Sequence, residues 1–149
     1  TAKKLGRFGF AKLNSQIAHI PRGSIILSPY TDRVLSPADR RTAERQGITA
    51  VDCSWKNARE VFYRIKGNFR RLPFLVAVNP TNFGHPGQLS SAEALAAALY
   101  IIGYREQAER IMGIFKWGSN FFIVNKEPLE LYSQAKNWEE VLKIEKDFL

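Results

Sequence analysis

The sequence contains few of the residues that form disulfides, metal sites or imidazole-based active sites. Of its 149 residues, one is cysteine and two are histidine. The single cysteine, Cys53, excludes an internal disulfide and a four-cysteine zinc site. His19 and His85 lie far apart without flanking ligand residues, so we expect neither a bound metal nor His-based catalysis. A chain without disulfides is typical of a reducing compartment, and we expect a cytoplasmic protein.

Long hydrophobic runs are absent as well. The longest, Ala94–Ile102, falls well short of the ~20 residues that a membrane-spanning helix needs, and no secretory signal is visible. We therefore expect no membrane partner. The first residue is Thr1 rather than Met, which suggests that residues upstream of it are missing.

The composition is that of an ordinary globular domain, but its charge is unevenly distributed. Hydrophobic residues make up 45% and charged residues 24%, and the net charge is +8. Up to Arg71 there are 15 basic and 5 acidic residues, a net +10, whereas the remainder carries 7 basic and 9 acidic residues, a net −2. Such polarity favours a polyanionic partner such as nucleic acid, although solvated helix faces would produce the same pattern.

Alternating apolar runs and helix signals predict an α/β fold. Short apolar runs at Ser24–Ser28, Ile48–Val51 and Leu72–Val78 are typical of buried strands. Between the first two, Ser36 with Pro37 predicts a helix start, and Gly47 predicts its end. A further helix from about Ser54 to Gly67 separates the second and third runs. Strands separated by helices pair in parallel, with helices covering the sheet.

The second half of the chain predicts a turn-rich loop followed by helices only. Residues 79–89 are rich in Asn, Pro and Gly, which is typical of a long ordered loop. Ser90 and Glu93 then form a capping-box pattern, and Asn137 with Glu140 forms a second one. The predicted helices are Ala92–Ile102, Arg105–Lys116, Leu129–Ala135 and Trp138–Phe148.

Ligands of parallel α/β sheets bind beyond the carboxyl ends of the strands, here just after Leu27, Val51 and Val78. Asp52 follows an apolar strand, where partial burial would raise its pKa and suit a general base, but its position taken alone favours capping the next helix or ordering a turn. Trp55 could cover a flat or cationic ligand or pack in the core.

Several short motifs, in their order and spacing, resemble a known family: the aminocarboxypropyltransferases that modify small-subunit ribosomal RNA. The resemblance covers nearly the whole chain and indicates an archaeal member of the family. The motifs are Thr1-Ala2-Lys3-Lys4-Leu5, Leu27-Ser28-Pro29, Ser36-Pro37-Ala38-Asp39-Arg40, Val51-Asp52-Cys53-Ser54-Trp55, Arg71 to Gly84, Leu89-Ser90-Ser91-Ala92-Glu93-Ala94 and Phe115-Lys116-Trp117-Gly118.

The resemblance implies a SPOUT-like parallel sheet with a C-terminal trefoil knot and a helical C-terminal end. It implies S-adenosylmethionine as the co-substrate. The enzyme would transfer the 3-amino-3-carboxypropyl group to N3 of an N1-methylpseudouridine in small-subunit rRNA during ribosome biogenesis. Residues 1–22 would be the remnant of an N-terminal substrate-binding subdomain, and residues 23–149 would form the catalytic domain that binds S-adenosylmethionine.

The resemblance also assigns roles to individual residues. Asp52 would assist deprotonation of N3. Leu27, Pro29 and Trp55 would enclose the adenine and methyl end of the donor, and Thr1 would bind its carboxylate. The full set expected to bind the donor is Thr1, Leu27, Pro29, Val51, Trp55, Leu75, Leu89, Ser90 and Ala94.

With this function, the basic half of the chain would grip rRNA phosphates. The expected RNA-binding residues are Lys3, Lys4, Arg7, Arg40, Arg41, Arg70 and Arg71. The expected partner is small-subunit rRNA or a pre-ribosomal particle, bound by a monomer. Two alternatives stay open: a SPOUT-like RNA methyltransferase with the same donor, and a non-catalytic assembly factor that binds rRNA.

Overall fold

The computed structural model describes residues 2–9, 20–51 and 58–149, which form a small parallel sheet surrounded by helices. The strands are β1 (Ile25–Leu27), β2 (Ile48–Ala50) and β3 (Asn68–Arg70). The helices are α1 (Ala2–Arg7), α2 (Arg40–Gln46, preceded by a 3₁₀ turn at Pro37–Asp39), α3 (Ala58–Tyr63), α4 (Ser91–Ile101), α5 (Arg105–Met112), α6 (Gly118–Val124), α7 (Lys126–Gln134) and α8 (Trp138–Lys146).

The sheet has the order β2-β1-β3, and both pairings are parallel, which confirms the predicted α/β class. The central strand β1 is buried on both faces. Ile25 and Leu27 belong to the main core with the C-terminal helices, whereas Ile26 packs with Phe62 and Ile65 on the other face. Alternating side chains of one strand therefore join two separate hydrophobic clusters, as the twofold period of a strand requires.

The first two predicted strands are confirmed, but the third is wrong. The third strand of the sheet is Asn68–Arg70, and the predicted strand Leu72–Val78 follows it without joining the sheet. Residues 71–79, the 71–79 segment, contain only two isolated bridges, between Val34 and Arg71 and between Val76 and Pro86. Apolar composition and short length suggested a strand, but they do not reveal where a backbone finds its hydrogen bonds.

Along one side, the backbone N–H groups of the 71–79 segment donate to side chains from helices. The acceptors are buried carboxylate or amide oxygens, so each N–H is satisfied without a neighbouring strand. The bonds are Phe74 N to Glu145 Oε2 (2.8 Å), Val76 N to Asn125 Oδ1 (2.8 Å) and Val78 N to Glu93 Oε2 (2.7 Å).

Carbonyl groups of the same segment are satisfied from the same helices. The amide of Asn125 donates to Val76 O at 2.9 Å, and the hydroxyl of Tyr132 donates to Phe74 O at 3.0 Å. Burial raises the pKa of Tyr132, so its hydroxyl keeps the proton that it donates.

On its other side, the 71–79 segment pairs with the loop that follows it. Ala77 N donates to His85 O, Gly84 N donates to Ala77 O at 2.8 Å, and Gly87 N donates to Leu75 O at 3.1 Å. Gly84 and Gly87 both have positive φ, 82° and 73°, which glycine adopts without strain. The segment is thus enclosed between the loop and the C-terminal helices.

Most predicted helices are confirmed, with shifted ends. The Ser36 capping box precedes α2, and Gly47 at φ 84° ends it. The capping box of Ser90 and Glu93 starts α4, whose buried alanines allow close packing against its neighbours. Helices α1 and α6 have no counterpart in the prediction, because the short α1 and the aromatic-rich α6 carry no cap signal.

The second predicted capping box forms only in part. Asn137 Oδ1 accepts from Glu140 N at 3.0 Å, as predicted. The carboxylate of Glu140 accepts from Lys136 N at 2.6 Å, one residue before the cap. A flexible side chain at an exposed helix start has more than one N–H within reach, and spacing alone does not choose between them.

Helix α8 is tied to the 71–79 segment by an ion pair. Arg71 donates two hydrogen bonds to the carboxylate of Glu145, at 2.8 and 2.9 Å. Burial raises the pKa of Glu145, but hydrogen bonds from Arg71 and the Phe74 N–H outweigh it, and the net pKa is lowered.

Within the described ranges, no helix is long and apolar enough to span a bilayer.

Replacing Glu145 with Gln is expected to destabilise the protein by about 2 kcal/mol at neutral pH, because Arg71 loses its charged partner. A lowered carboxyl pKa contributes stability above the unfolded pKa of about 4.3, and that contribution is lost as the pH falls through the folded pKa. The stability difference between wild type and Glu145→Gln should therefore narrow in acid. Chemical denaturation at a series of pH values measures it.

The matched control is Glu139→Gln, an exposed glutamate on the same helix. It should change stability little at any pH. A Glu145→Gln deficit that is constant across this pH range would contradict the ion-pair assignment.

Candidate active site

A cavity of about 640 Å³ lies where all three strands end. This size is within the ~300–1,000 Å³ of small-molecule sites. Each strand contributes the residues at or just beyond its carboxyl end, which is where ligands of parallel sheets bind. These lining residues are Leu27, Ser28 and Pro29 after β1, Ala50 and Val51 after β2, and Arg71, Leu72 and Pro73 after β3.

The loop and the start of α4 line another part of the cavity. Leu75 comes from the 71–79 segment, Leu89 and Ser90 from the end of the loop, and Ala94 from the first turn of α4. Asn79 to Asn82 and Gly87 complete this part. Because Ala94 is small, the first turn of α4 leaves open space beside it.

Glu93 holds this part of the cavity in place. It is fully buried, and its carboxylate accepts from Val78 N, from Asn79 Nδ2 at 2.6 Å and from Ser90 N at 2.9 Å. One side chain thus joins the end of the 71–79 segment to the start of α4. The predicted capping role is confirmed. The bonds to Val78 and Asn79 could not be predicted, because they connect residues that only the fold brings together.

Aromatic side chains line two further regions of the cavity. Phe62 packs edge-on against Tyr30 at a centroid distance of 5.7 Å, and the Arg59 guanidinium lies 5.1 Å from the Tyr30 ring centroid. Phe115 and Trp117 also line the cavity, with ring centroids 4.8 Å apart. We call Phe115 and Trp117 the aromatic wall.

Sequence reasoning did not identify the aromatic wall as part of the site. Phe115 and Trp117 belong to a motif that carried the family resemblance, but an i, i+2 pair of aromatic residues shares no helix face and matches no functional motif. Lys4 was expected to contact RNA, and it lies in the cavity lining with its Nζ 5.1 Å from the Phe115 ring centroid.

The described lining contains basic residues and no carboxylate. Arg71 is paired with Glu145, and this hydrogen bonding raises the pKa of Arg71 in spite of its partial burial. Lys4 forms no ion pair with any residue that the structure describes. Among its described lining residues, the cavity therefore combines apolar side chains with one cation, Lys4, that forms no ion pair to a described residue.

The structure brings together seven of the residues expected to bind the donor. Their binding role stays a prediction. The seven are Leu27, Pro29, Val51, Leu75, Leu89, Ser90 and Ala94. Thr1, Asp52 and Trp55 lie outside the described residues.

The residues expected to bind RNA are in different environments. Lys3, Arg7 and Arg41 are exposed. Arg40 is exposed, pairs with Glu44 and lies over the Tyr104 ring. Arg70 is largely buried and pairs with Asp39 at 3.2 Å, while Arg71 pairs with Glu145. Among these arginines, only Arg7 and Arg41 are both exposed and without an ion pair to a described residue.

Over residues 2–9, 20–51 and 58–149, no group of three or more His, Cys, Asp or Glu side chains could hold a metal ion. The buried acids serve other purposes here. Glu93 and Glu145 accept backbone and side-chain hydrogen bonds instead.

Comparison with known proteins shows close relatives. The family model described as "Ribosome biogenesis protein, C-terminal" matches residues 25–149. A 16S rRNA aminocarboxypropyltransferase from Methanothermobacter thermautotrophicus is 48% identical over 151 residues, covering 100% of this chain and 89% of the relative. A protein of the same name from Methanococcoides burtonii is 49% identical, covering 100% of this chain and 86% of its own length.

A solved structure has the same fold. The SAM-dependent rRNA:acp-transferase Tsr3 from Vulcanisaeta distributa superposes with a TM-score of 0.87 at 46% identity, covering 96% of this chain and 79% of that chain. The sequence matches and the structural superposition both extend over almost the whole chain, and they confirm the family resemblance found in the sequence. This chain is a member of the 16S rRNA aminocarboxypropyltransferase family.

Proposed function

We propose that this protein transfers the 3-amino-3-carboxypropyl group of S-adenosylmethionine to N3 of an N1-methylpseudouridine in small-subunit rRNA. The observation that carries the proposal is the cavity at the three strand ends, which is lined by seven residues expected to bind the donor. The relatives are named 16S rRNA aminocarboxypropyltransferases, and the structural neighbour is described as a SAM-dependent rRNA:acp-transferase.

The apolar lining suits the nucleoside part of the donor. Leu27, Pro29 and Leu75 offer hydrophobic surface to the adenine and the methyl group. Backbone groups at Val51 and at Leu89–Ser90 would bind the ribose and adenine edges. Because the Glu93 contacts hold this region, the donor would meet a preformed surface rather than one that orders on binding.

The orientation of the donor decides which group is transferred. A sulfonium can lose any of its three carbon substituents, so the protein must align one carbon with the nucleophile and keep the others away. The N3 nitrogen would lose its proton and attack the carbon of the aminocarboxypropyl chain that is bonded to sulfur. That carbon–sulfur bond breaks, its electron pair stays on sulfur, and neutral methylthioadenosine leaves.

Mass spectrometry of the modified RNA tests the proposal. The protein is incubated with S-adenosylmethionine labelled in the aminocarboxypropyl carbons and with small-subunit rRNA that contains N1-methylpseudouridine. We expect the label and the mass of the aminocarboxypropyl group on the RNA. Addition of a methyl group would instead identify a methyltransferase. No addition, together with RNA binding but no donor binding, would identify an assembly factor.

We propose that Asp52 accepts the N3 proton, directly or through water. Asp52→Asn should lower the rate of transfer by about 100-fold or more, the contribution usual for general-base catalysis, and leave the Kd for S-adenosylmethionine unchanged. Single-turnover transfer assays and calorimetry measure the two quantities. The exposed Asp32 provides the control variant Asp32→Asn. Unchanged transfer, or an equal loss of donor affinity, would contradict this role.

Exposed basic residues are the candidates for binding the RNA. We propose that Lys3, Arg7 and Arg41 contact rRNA phosphates. Arg40, Arg70 and Arg71 were also expected to bind RNA, but each is paired with a carboxylate and adds little net positive charge. Residues 1–22 would contribute mainly to RNA binding, and residues 23–149 to donor binding and catalysis. Lys3→Gln and Arg41→Gln should each lower the RNA affinity and its salt dependence, and an unchanged salt dependence would contradict the phosphate contacts.

We further propose that the fold is SPOUT-like with a C-terminal trefoil knot, and that the protein is a cytoplasmic monomer. Mechanical unfolding tests the knot, because a tightened knot shortens the extended chain. Analytical ultracentrifugation tests the monomer.

A further inference from the structure

The aromatic wall has no role in donor binding as proposed above. Phe115 and Trp117 line the same cavity as the strand ends, with ring planes inclined by 30°. Phe115 is buried, whereas Trp117 is half-buried, and both line the cavity. We propose that Trp117 is the surface on which the target uracil-type base stacks, and that Lys4 binds a phosphate of the same nucleotide. This inference rests on the proposed function.

Both reactants must occupy one cavity. Transfer requires the reacting atoms to approach within about 3–3.5 Å, so the acceptor base must enter the space that also holds the donor. The seven described residues expected to bind the donor belong to the strand ends, the 71–79 segment, the loop and α4. The aromatic wall, between α5 and α6, lines that cavity outside this set.

The chemistry of the wall suits an unpaired nucleobase. Proteins that bind RNA bases outside a helix commonly stack them on aromatic side chains, because every base has a flat π-face. The Phe115 ring lies 4.8 Å from the Trp117 ring and belongs to the main core, against which Trp117 also packs, so the core supports the indole. A stacking surface held in this way loses little conformational entropy on binding.

Lys4 adds a charge of the right sign. Its ammonium lies 5.1 Å from the Phe115 ring centroid, within the range of a cation–π contact, which holds it beside the wall. It forms no ion pair within the described part of the chain, and the other lining cation, Arg71, is occupied by Glu145. Lys4 could therefore bind an RNA phosphate next to the stacked base.

Trp117→Leu tests the stacking role. We expect the Kd for a stem-loop RNA carrying the target base to rise about tenfold or more, and the Kd for S-adenosylmethionine to stay unchanged. Trp117→Phe keeps an aromatic ring and should restore most of the RNA affinity. The matched control is Trp138→Leu, because Trp138 is 54% exposed at the start of α8 and does not line the cavity.

A second RNA shows whether the lost contact is with the target base. In this RNA, the target nucleotide is abasic. Trp117→Leu and wild type should bind it with similar Kd, because the base that Trp117 contacts is absent. Lys4→Gln should raise the Kd for both RNAs and reduce the salt dependence of binding by about one counterion.

Several results would overturn the inference. An equal loss of S-adenosylmethionine affinity in Trp117→Leu would place the wall in the donor site. An equal loss with intact and abasic RNA, or RNA binding equal to that of Trp138→Leu, would exclude stacking of the target base.

Photo-cross-linking gives an answer that does not depend on the folding of a variant. With wild-type protein and 5-iodouridine at the target position, the cross-linked peptide should contain residues 115–117. Cross-links confined to other peptides would overturn the inference. Transfer by wild-type protein is measured in parallel. Without transfer, the proposed function fails as well; with transfer but without these effects, only the acceptor site fails.

Discussion

The backbone N–H groups of Phe74, Val76 and Val78 donate to side chains of the helical region rather than to a neighbouring strand. Glu145, Asn125 and Glu93 accept these bonds, and all three are buried. A buried N–H without a partner costs about 1–3 kcal/mol, so this segment can lie in the interior only while these side chains are in place. The C-terminal helices therefore determine the position of the segment.

The position of the 71–79 segment in turn shapes the cavity. It carries Leu75 into the lining and ends at Asn79, from which the loop returns along it to α4. Glu93 closes this arrangement by binding both Asn79 and Ser90. Helices that lie outside the sheet thus support the surface on which the donor is proposed to bind. A small sheet of short strands would not hold such a surface alone.

The sequence predicted the features that depend on local signals. The strands at Ile25 and Ile48, the capping box at Ser90 and the α/β class follow from short apolar runs, cap residues and alternation, and the structure confirms them. The third strand was misplaced because Leu72–Val78 has the composition of a buried strand, while its hydrogen-bond partners are 15 to 71 residues away in the chain. Such long-range partners leave no periodic pattern in the sequence.

In the candidate site, too, only some of the residues could be predicted from the sequence. Residues just beyond the strand ends, such as Pro29 and Val51, were predictable because parallel sheets bind ligands there, and the family resemblance added Leu75 and Leu89. The aromatic wall was not predicted, since the fold alone places Trp117 beside the cavity. Family membership indicates the reaction. The packing of the C-terminal helices determines which side chains line the cavity in which the two substrates are proposed to bind.

Amide hydrogen exchange of Val76 measures the side-chain hydrogen bonds to the 71–79 segment. We expect this amide to exchange as slowly as amides in the middle of α4, such as that of Ala97, because its hydrogen bond to Asn125 protects it. Exchange of the Val76 amide as fast as that of the exposed loop residues Thr81 and Phe83 would contradict this expectation.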